Sequence, residues 1–214
     1  LKSAQEHLKV AAKLPKVTSV DDSLYKLLIL EGESLLWLRT RGDSYLEQGN
    51  LEAAGMEYER AMKLSPAPAG LEKLGRIRLL LSDPESAAEA FRQAVRLDRR
   101  NGAAHLGLAK ANLALGAIDE ALIAAHSARG LMPGNPQVYL STSKIHSANG
   151  DWKDALGIIE DGLKQLKDEL VLLDRKAWLL AATPIVSLRD GQQAKAIAEL
   201  LCSRTEYKVA EPLH

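Results

Sequence analysis

The sequence predicts an all-α protein built from pairs of helices that repeat along the chain. Three observations lead to this prediction: a side-chain triplet that recurs at a constant period, turn residues that separate the helices, and apolar residues that are mainly Ala and Leu. Both residues are strong helix formers. Members of each triplet are four and then three residues apart, so they share one helical face. The triplets are Ala54, Tyr58 and Ala61; Ala87, Phe91 and Ala94; Ala121, Ala125 and Ala128; and Ala155, Ile159 and Gly162.

The first members of the triplets recur with nearly equal spacing, at a period of about 34 residues. A second segment with helical spacing precedes each triplet; these segments are Leu38–Tyr45, Leu74–Leu81, Ala104–Leu115 and Val138–Ala148. Turn residues separate the two helices of each pair, at positions 49–50, 82–84, 116–117 and 150–151. Gly at such a turn can adopt a left-handed conformation, and Asn or Asp can cap the next helix.

A helix–turn–helix unit with this period resembles the tetratricopeptide repeat. The small residue that this repeat carries inside its first helix is matched by Gly42, Gly75 and Ala109. The small–aromatic–small series of its second helix is matched by the triplets, and its terminal proline by Pro66 and Pro133. The resemblance covers residues 35–202 and implies a right-handed superhelical solenoid of about five antiparallel helix pairs.

The fifth pair departs from the pattern, since the step from Ala155 to Ala194 is longer than the period of the earlier triplets. We expect its first helix to end near Ala182, and a loop inserted at 183–189 to precede its second helix. The stretch 177–184 is similar to a variant found in bacterial proteins of this family, which suggests a bacterial origin.

Both ends of the chain read as parts of further repeats. Residues 1–34 are expected to form the trailing helix of a preceding repeat followed by an irregular linker or helix, and residues 203–214 the start of another repeat or a tail. A solenoid needs polar capping units, and none is visible. We therefore expect the sequence to be a piece of a longer array.

The composition argues against several function classes. The 214 residues carry no net charge, which is unlike a nucleic-acid-binding domain, so no nucleic-acid partner is expected. No apolar run approaches the ~20 residues of a membrane span, so no membrane insertion is expected. A single cysteine, Cys202, excludes an internal disulfide. The compartment stays open between the cytoplasm and the bacterial periplasm.

No motif for catalysis, metal binding or cofactor binding was found. The five histidines lack the spacing of metal ligands, and there is no glycine-rich phosphate loop. Neighbouring acids such as Glu57 and Glu59 are expected on solvated helix faces. The rings of His105 and His146 are expected to pack against neighbouring side chains, with a ring nitrogen as the polar tip. The sequence therefore predicts no enzyme, no metal and no cofactor.

The first helices of such a solenoid should line a concave groove. The residue after each small position should point into it; these residues are Asp43, Arg76, Lys110 and Lys144. Aliphatic residues recur one helical turn away. The predicted partner-binding set is Arg39, Asp43, Glu72, Arg76, Leu79, Leu106, Lys110, Leu140 and Lys144. Three consecutive cations beside an aliphatic stripe indicate a groove for an extended or helical peptide with acidic residues, provided by another protein.

Other interpretations stay open at this stage. The three cations can be ordinary solvated charges, and the solenoid can self-associate or form a structural segment. It can also serve as a regulatory or substrate-recognition module of an enzyme, or of a secretion or polysaccharide-export complex. The family's chaperone-binding members hold a terminal carboxylate with Lys, Asn and Arg. The aligned places here contain no Asn, so binding of that motif is not expected; they are Arg39, Asp43, Lys73, Arg76, Ala103 and Gly107.

Overall fold

The computed structural model describes residues 35–205 and contains ten α-helices and no strand in that range. The expectations for residues 1–34 and 206–214 lie outside the described residues. The helices are α1 (Leu35–Glu47), α2 (Leu51–Leu64), α3 (Pro68–Leu80), α4 (Pro84–Leu97), α5 (Gly102–Ala114), α6 (Ile118–Leu131), α7 (Pro136–Ala148), α8 (Trp152–Gln165), α9 (Leu170–Ala182) and α10 (Gly191–Thr205). A short 3₁₀ helix, Val186–Leu188, lies between α9 and α10. The predicted all-α class is confirmed.

Helix contacts arrange the described elements in two layers. Each odd-numbered helix packs against the helix that follows it and, from α3 onward, against the second helix of the preceding pair. The odd-numbered helices α3, α5, α7 and α9 also contact each other in sequence, whereas no pair of even-numbered helices is closely packed within the described range. The odd-numbered helices therefore form the inner, concave layer, as the sequence predicted.

The repeat triplets form the buried core between the layers. All four first members, Ala54, Ala87, Ala121 and Ala155, are fully buried. The small residues of the first helices leave room for the central triplet side chains. A Cβ added at Gly42 would lie 2.8 Å from the Tyr58 ring, and one at Gly75 would lie 2.8 Å from the Phe91 ring.

Gly162 replaces the closing Ala of the fourth triplet for a steric reason. A Cβ at Gly162 would lie 2.9 Å from both Leu172 Cδ1 and Tyr139 Cγ. Real Cβ atoms do not approach other heavy atoms this closely, and the packed interior cannot absorb the added volume without strain. The departure from the pattern therefore accommodates a bulkier neighbour rather than marking the end of the repeat series.

The turns within the pairs follow the predicted chemistry with one exception. Asn50 and Asp83 accept hydrogen bonds from backbone N–H groups of α2 and α4 and so cap these helices. Asp151 occupies the N-cap of α8, but its side chain makes no capping hydrogen bond. Its carboxylate instead accepts a hydrogen bond from Asn149 Nδ2 at 2.7 Å. The expectation that Asp151 caps α8 through its side chain is wrong.

Candidate functional site

A groove runs along the concave face across α3, α5 and α7. Between α3 and α5 it widens into a cleft of about 540 Å³, whose walls include Glu72, Arg76, Leu79, Leu106 and Lys110. A second cleft, of about 290 Å³, lies between α5 and α7 and includes Lys110, Leu140 and Lys144. Because both clefts share Lys110 and Gln137, they form one continuous surface. Seven of the nine predicted partner-binding residues therefore line this surface, which we call the cationic groove.

The floor of the wider cleft rests on an aromatic ring that is itself fully buried. Phe91 comes from α4 in the outer layer and reaches the cleft between two inner helices. Its ring contacts α3 at Gly75 and α5 at Gly107, where an added Cβ would lie 2.8 Å and 2.2 Å away respectively. Because Gly107 has no side chain, the Phe91 ring can pack directly against α5, and the floor stays apolar.

The three cations of the cationic groove have no carboxylate partner within residues 35–205. Among the described residues, no Asp or Glu oxygen lies within 4.0 Å of the charged groups of Arg76, Lys110 or Lys144. Partial burial lowers the pKa of the Lys110 ammonium, and the positive charges of Lys144 and Arg76 lower it further. Lys110 therefore lies between two positive charges that both repel it. An acidic ligand would relieve that repulsion.

Asp43, in the first repeat, is neutralised within the protein. Its Oδ1 atom accepts hydrogen bonds from the Tyr58 hydroxyl at 2.5 Å and from Lys73 Nζ at 2.6 Å, and Lys73 Nζ also lies 2.9 Å from the Tyr58 hydroxyl. Burial alone would raise the pKa of Asp43, but these hydrogen bonds hold it below its ordinary value. Partial burial and the bond to Asp43 raise the pKa of Tyr58, and the bond to Asp43 raises the pKa of Lys73.

Two residues of the predicted set, Arg39 and Asp43, do not line the cationic groove. Arg39 lies near the start of α3, with one guanidinium nitrogen 3.8 Å from the Cβ position of Gly70. The structure also adds lining residues that sequence reasoning missed, among them Gln137 and Met132. Gln137 lies three residues before Leu140 on the same helical face, so its spacing could have revealed it. Met132 comes from the connection after α6 and had no such signal.

Cysteine and histidine side chains lie at separate places over the described part of the chain. Cys202 is half-buried and unpaired. The half-buried His105 ring has Nε2 3.1 Å from the carbonyl oxygen of Arg99, which agrees with a packed ring and a polar tip. His146 lies beside Asp151 and Asp154, a grouping that the sequence did not reveal. No helix within the described range has the length and apolar character needed to cross a bilayer.

The comparisons identify the class of protein. A sequence family described as a tetratricopeptide repeat matches residues 72–136, and a second family of the same description matches residues 40–68. These matches show that residues 40–68 and 72–136 consist of tetratricopeptide repeats, and the ten-helix solenoid continues the same architecture over the described range. Proteins built from this repeat are typically non-enzymatic scaffolds.

Similar solved structures share the fold at low sequence identity. A crystal structure of MamA protein superposes with a TM-score of 0.67 at 19% identity, covering 84% of this chain and 98% of that one. YrrB, described as a tetratricopeptide repeat protein with an unusual peptide-binding site, gives 0.63 at 19% identity, with 70% and 77% covered. The first such domain of Spaghetti (RPAP3), bound to the HSP90 peptide SRMEEVD, gives 0.52 at 25% identity, with 54% and 93% covered. No curated protein sequence matches the chain significantly.

Proposed function

We propose that the chain is a protein-interaction scaffold whose cationic groove binds an acidic peptide segment of another protein. The observation that carries this proposal is the row of Arg76, Lys110 and Lys144 without any carboxylate partner among the described residues. A row of like charges lowers the stability of the folded protein slightly, so its presence favours a role outside folding. The apolar side chains beside the row provide surface that a bound ligand can bury.

The two parts of the groove would contribute differently to affinity. Exposed ion pairs are worth roughly 0–1 kcal/mol each, so the cations would orient the peptide and accelerate encounter. Burial of aliphatic or aromatic side chains against Leu79 and the exposed Leu80, which also lines the wider cleft, would supply most of the binding free energy. A micromolar complex needs about −8 kcal/mol in total, which a peptide spanning both clefts can provide.

The solved relatives support a peptide ligand of this kind. The HSP90 peptide held by the Spaghetti domain contains two Glu residues and one Asp in seven positions. YrrB is described by its peptide-binding site. In this chain the matching ligand would lie further along the solenoid than Asp43, because that carboxylate already occupies Lys73 and would repel an acidic residue.

A selection experiment tests the proposal without requiring that the partner be known. Random peptides displayed on phage are selected on the full chain, and the enriched peptides are measured by fluorescence anisotropy. We expect enrichment of Asp and Glu next to aliphatic residues. The variant Arg76→Glu, Lys110→Glu, Lys144→Glu should then bind the enriched peptides about 100-fold more weakly, since three attractions become repulsions.

A matched variant controls for the change in total charge. Lys63, Arg92 and Lys153 are exposed cations on α2, α4 and α8 of the outer layer. The variant Lys63→Glu, Arg92→Glu, Lys153→Glu has the same net charge as the groove variant and should retain wild-type affinity. Equal weakening in both variants, or selection of peptides without acidic residues, would contradict the proposal.

A further inference from the structure

A cluster of metal-ligating side chains lies at the turn between α7 and α8, away from the cationic groove. It consists of His146 in the last turn of α7, Asp151 at the N-cap of α8 and Asp154 in the first turn of α8. One ligand atom from each residue lies within 4.8 Å of the other two. The described range contains no other group of three His, Cys, Asp or Glu side chains with this proximity.

Two observations indicate that these side chains are not fully used by the fold. His146 Nδ1 is buried and makes no hydrogen bond, although burying such a nitrogen without a partner is costly. The nearest carboxylate oxygen, Asp151 Oδ2, is 3.9 Å away, beyond hydrogen-bond distance. The Asp151 carboxylate also accepts no hydrogen bond from the N–H groups of α8 that an N-cap side chain ordinarily binds.

The corresponding turn of the second repeat carries other side chains, and these pair with each other and cap the helix. There, two repeats earlier in the chain, Arg78 and Asp83 take the places of His146 and Asp151, and their charged atoms are 3.8 Å apart. Asp83 caps its helix by accepting from the Ser86 N–H, and Ser86 is at the place of Asp154. The fourth repeat thus replaces a guanidinium by an imidazole and adds a second carboxylate.

We propose that His146, Asp151 and Asp154 bind a divalent transition-metal ion, Zn²⁺ being the natural candidate. One imidazole nitrogen and two carboxylate oxygens form a ligand set that zinc accepts, with water in the fourth position. Ligands around tetrahedral zinc lie about 3.4 Å from each other, given metal–ligand distances near 2.1 Å. The three ligand atoms, which lie within 4.8 Å of one another, would have to move closer to bind the ion, and the exposed Asp154 side chain can do so by a change of rotamer.

The ion would link the end of α7 to the start of α8 and so fix the hairpin of the fourth repeat. Asp151 would exchange its hydrogen bond from Asn149 for a bond to the metal. Calcium and magnesium fit this set poorly, since both prefer an all-oxygen environment and imidazole is a softer ligand.

The test is calorimetric titration of the full chain, without a polyhistidine tag and after removal of metals by EDTA and dialysis, with zinc chloride at pH 7.5. We expect one zinc ion per chain with a micromolar Kd and a thermal midpoint that rises with zinc concentration. Co²⁺ in place of Zn²⁺ should give the visible absorption of a four-coordinate site. Magnesium chloride at millimolar concentration should give neither signal.

Two substitutions and one control locate the site. His146→Gln and Asp154→Asn should each weaken zinc binding at least about tenfold, because each removes one of three protein ligands. Asp154→Asn changes an exposed side chain and serves as the folding-safe variant. His126→Gln removes an exposed histidine of α6 outside the cluster and should retain the wild-type Kd. Zinc binding that is weaker than millimolar, or unchanged in Asp154→Asn, would overturn the proposal.

Discussion

The first and second repeats place different side chains at three corresponding positions of the concave face. In the first repeat and the helix that follows it, these are Asp43, Tyr58 and Lys73, which bond to each other within 2.5–2.9 Å. One repeat later, Arg76, Phe91 and Gly107 occupy the same positions. The exchange replaces a self-neutralised polar network by an unpartnered cation, an apolar ring and an open cleft.

This difference shows that the repeat pattern fixes the fold and leaves the surface free to vary. Tyr58 and Phe91 fill the same volume against a glycine of the preceding helix, Gly42 or Gly75. The hydroxyl that distinguishes the two rings decides whether a polar network can form at the floor. The residue after Gly42 or Gly75 then determines whether the groove presents an unpaired charge to a ligand or a charge that is already paired within the protein.

Within the part of the chain that the structure describes, the row of unpartnered cations ends after the fourth repeat. Arg175 of α9 occupies the position that corresponds to Lys73, and its guanidinium turns toward α7, where it donates to Ser147 Oγ at 2.5 Å. It also lies 4.3 Å from the centre of the Trp178 ring, and Trp178 stacks on Trp152 with ring centres 5.9 Å apart. Like Lys73, Arg175 is therefore used within the protein. Arg76, Lys110 and Lys144 form the row of unpartnered cations that lies between these two internal networks in the described range.

The largest expected effect follows from filling the space at Gly107. Gly107→Ala places a Cβ 2.2 Å from the Phe91 ring, so the ring or α5 must move, and we expect a loss of about 2–3 kcal/mol in unfolding free energy. Chemical denaturation followed by circular dichroism measures it. The matched control is Gly157→Ala in α8, where an added Cβ meets nothing within 4 Å. This control should gain about 0.5–1 kcal/mol from helix propensity. Equal effects of the two substitutions would show that the floor is not packed as described.

A smaller effect is expected from weakening the first-repeat network. Asp43→Asn removes the charge that holds Lys73, and since both side chains are nearly half exposed we expect a loss of at most about 1 kcal/mol at pH 7. The pKa of Asp43 is lower in the folded protein than in the unfolded chain, so its contribution is present above pH about 4 and disappears as the pH falls further. Unfolding curves of both proteins between pH 7 and pH 3 should therefore converge. A constant difference over this range would disprove the role of the Asp43 charge.

The smallest stability effect, and the sharpest contrast with Asp43, is expected at Lys110. Its ammonium is partly desolvated and repelled by Lys144 and Arg76, so its pKa is lowered and its charge disfavours the folded state. Lys110→Met should therefore raise the unfolding free energy by less than about 1 kcal/mol, while acidic-peptide affinity falls up to about fivefold. Lys153→Met on the outer layer should change neither quantity. Loss of stability in Lys110→Met would argue that the cation serves the fold rather than a ligand.

Much of the architecture could be predicted because it depends on local spacing. The period of the triplets, the small residues at Gly42, Gly75 and Ala109 and the Asn and Asp caps are all visible in the sequence of single repeats and their neighbours. The pairing of Lys73 with Asp43 was not predictable, since it joins residues 30 positions apart through the packing of successive repeats. The approach of His146 to Asp151 and Asp154 was missed for a related reason. Their spacings of five and three residues match no metal motif, and only the turn geometry brings them together.

We have proposed that an acidic ligand occupies the cationic groove across α3, α5 and α7. Backbone amide chemical shifts of the isotopically labelled chain, recorded during titration with a selected acidic peptide, test it most directly. We expect the largest shifts to cluster around Arg76, Leu106, Lys110 and Lys144 and those around Asp43 to stay small. Shifts concentrated on α2, α4, α6 and α8, or at the ends of the solenoid, would contradict it.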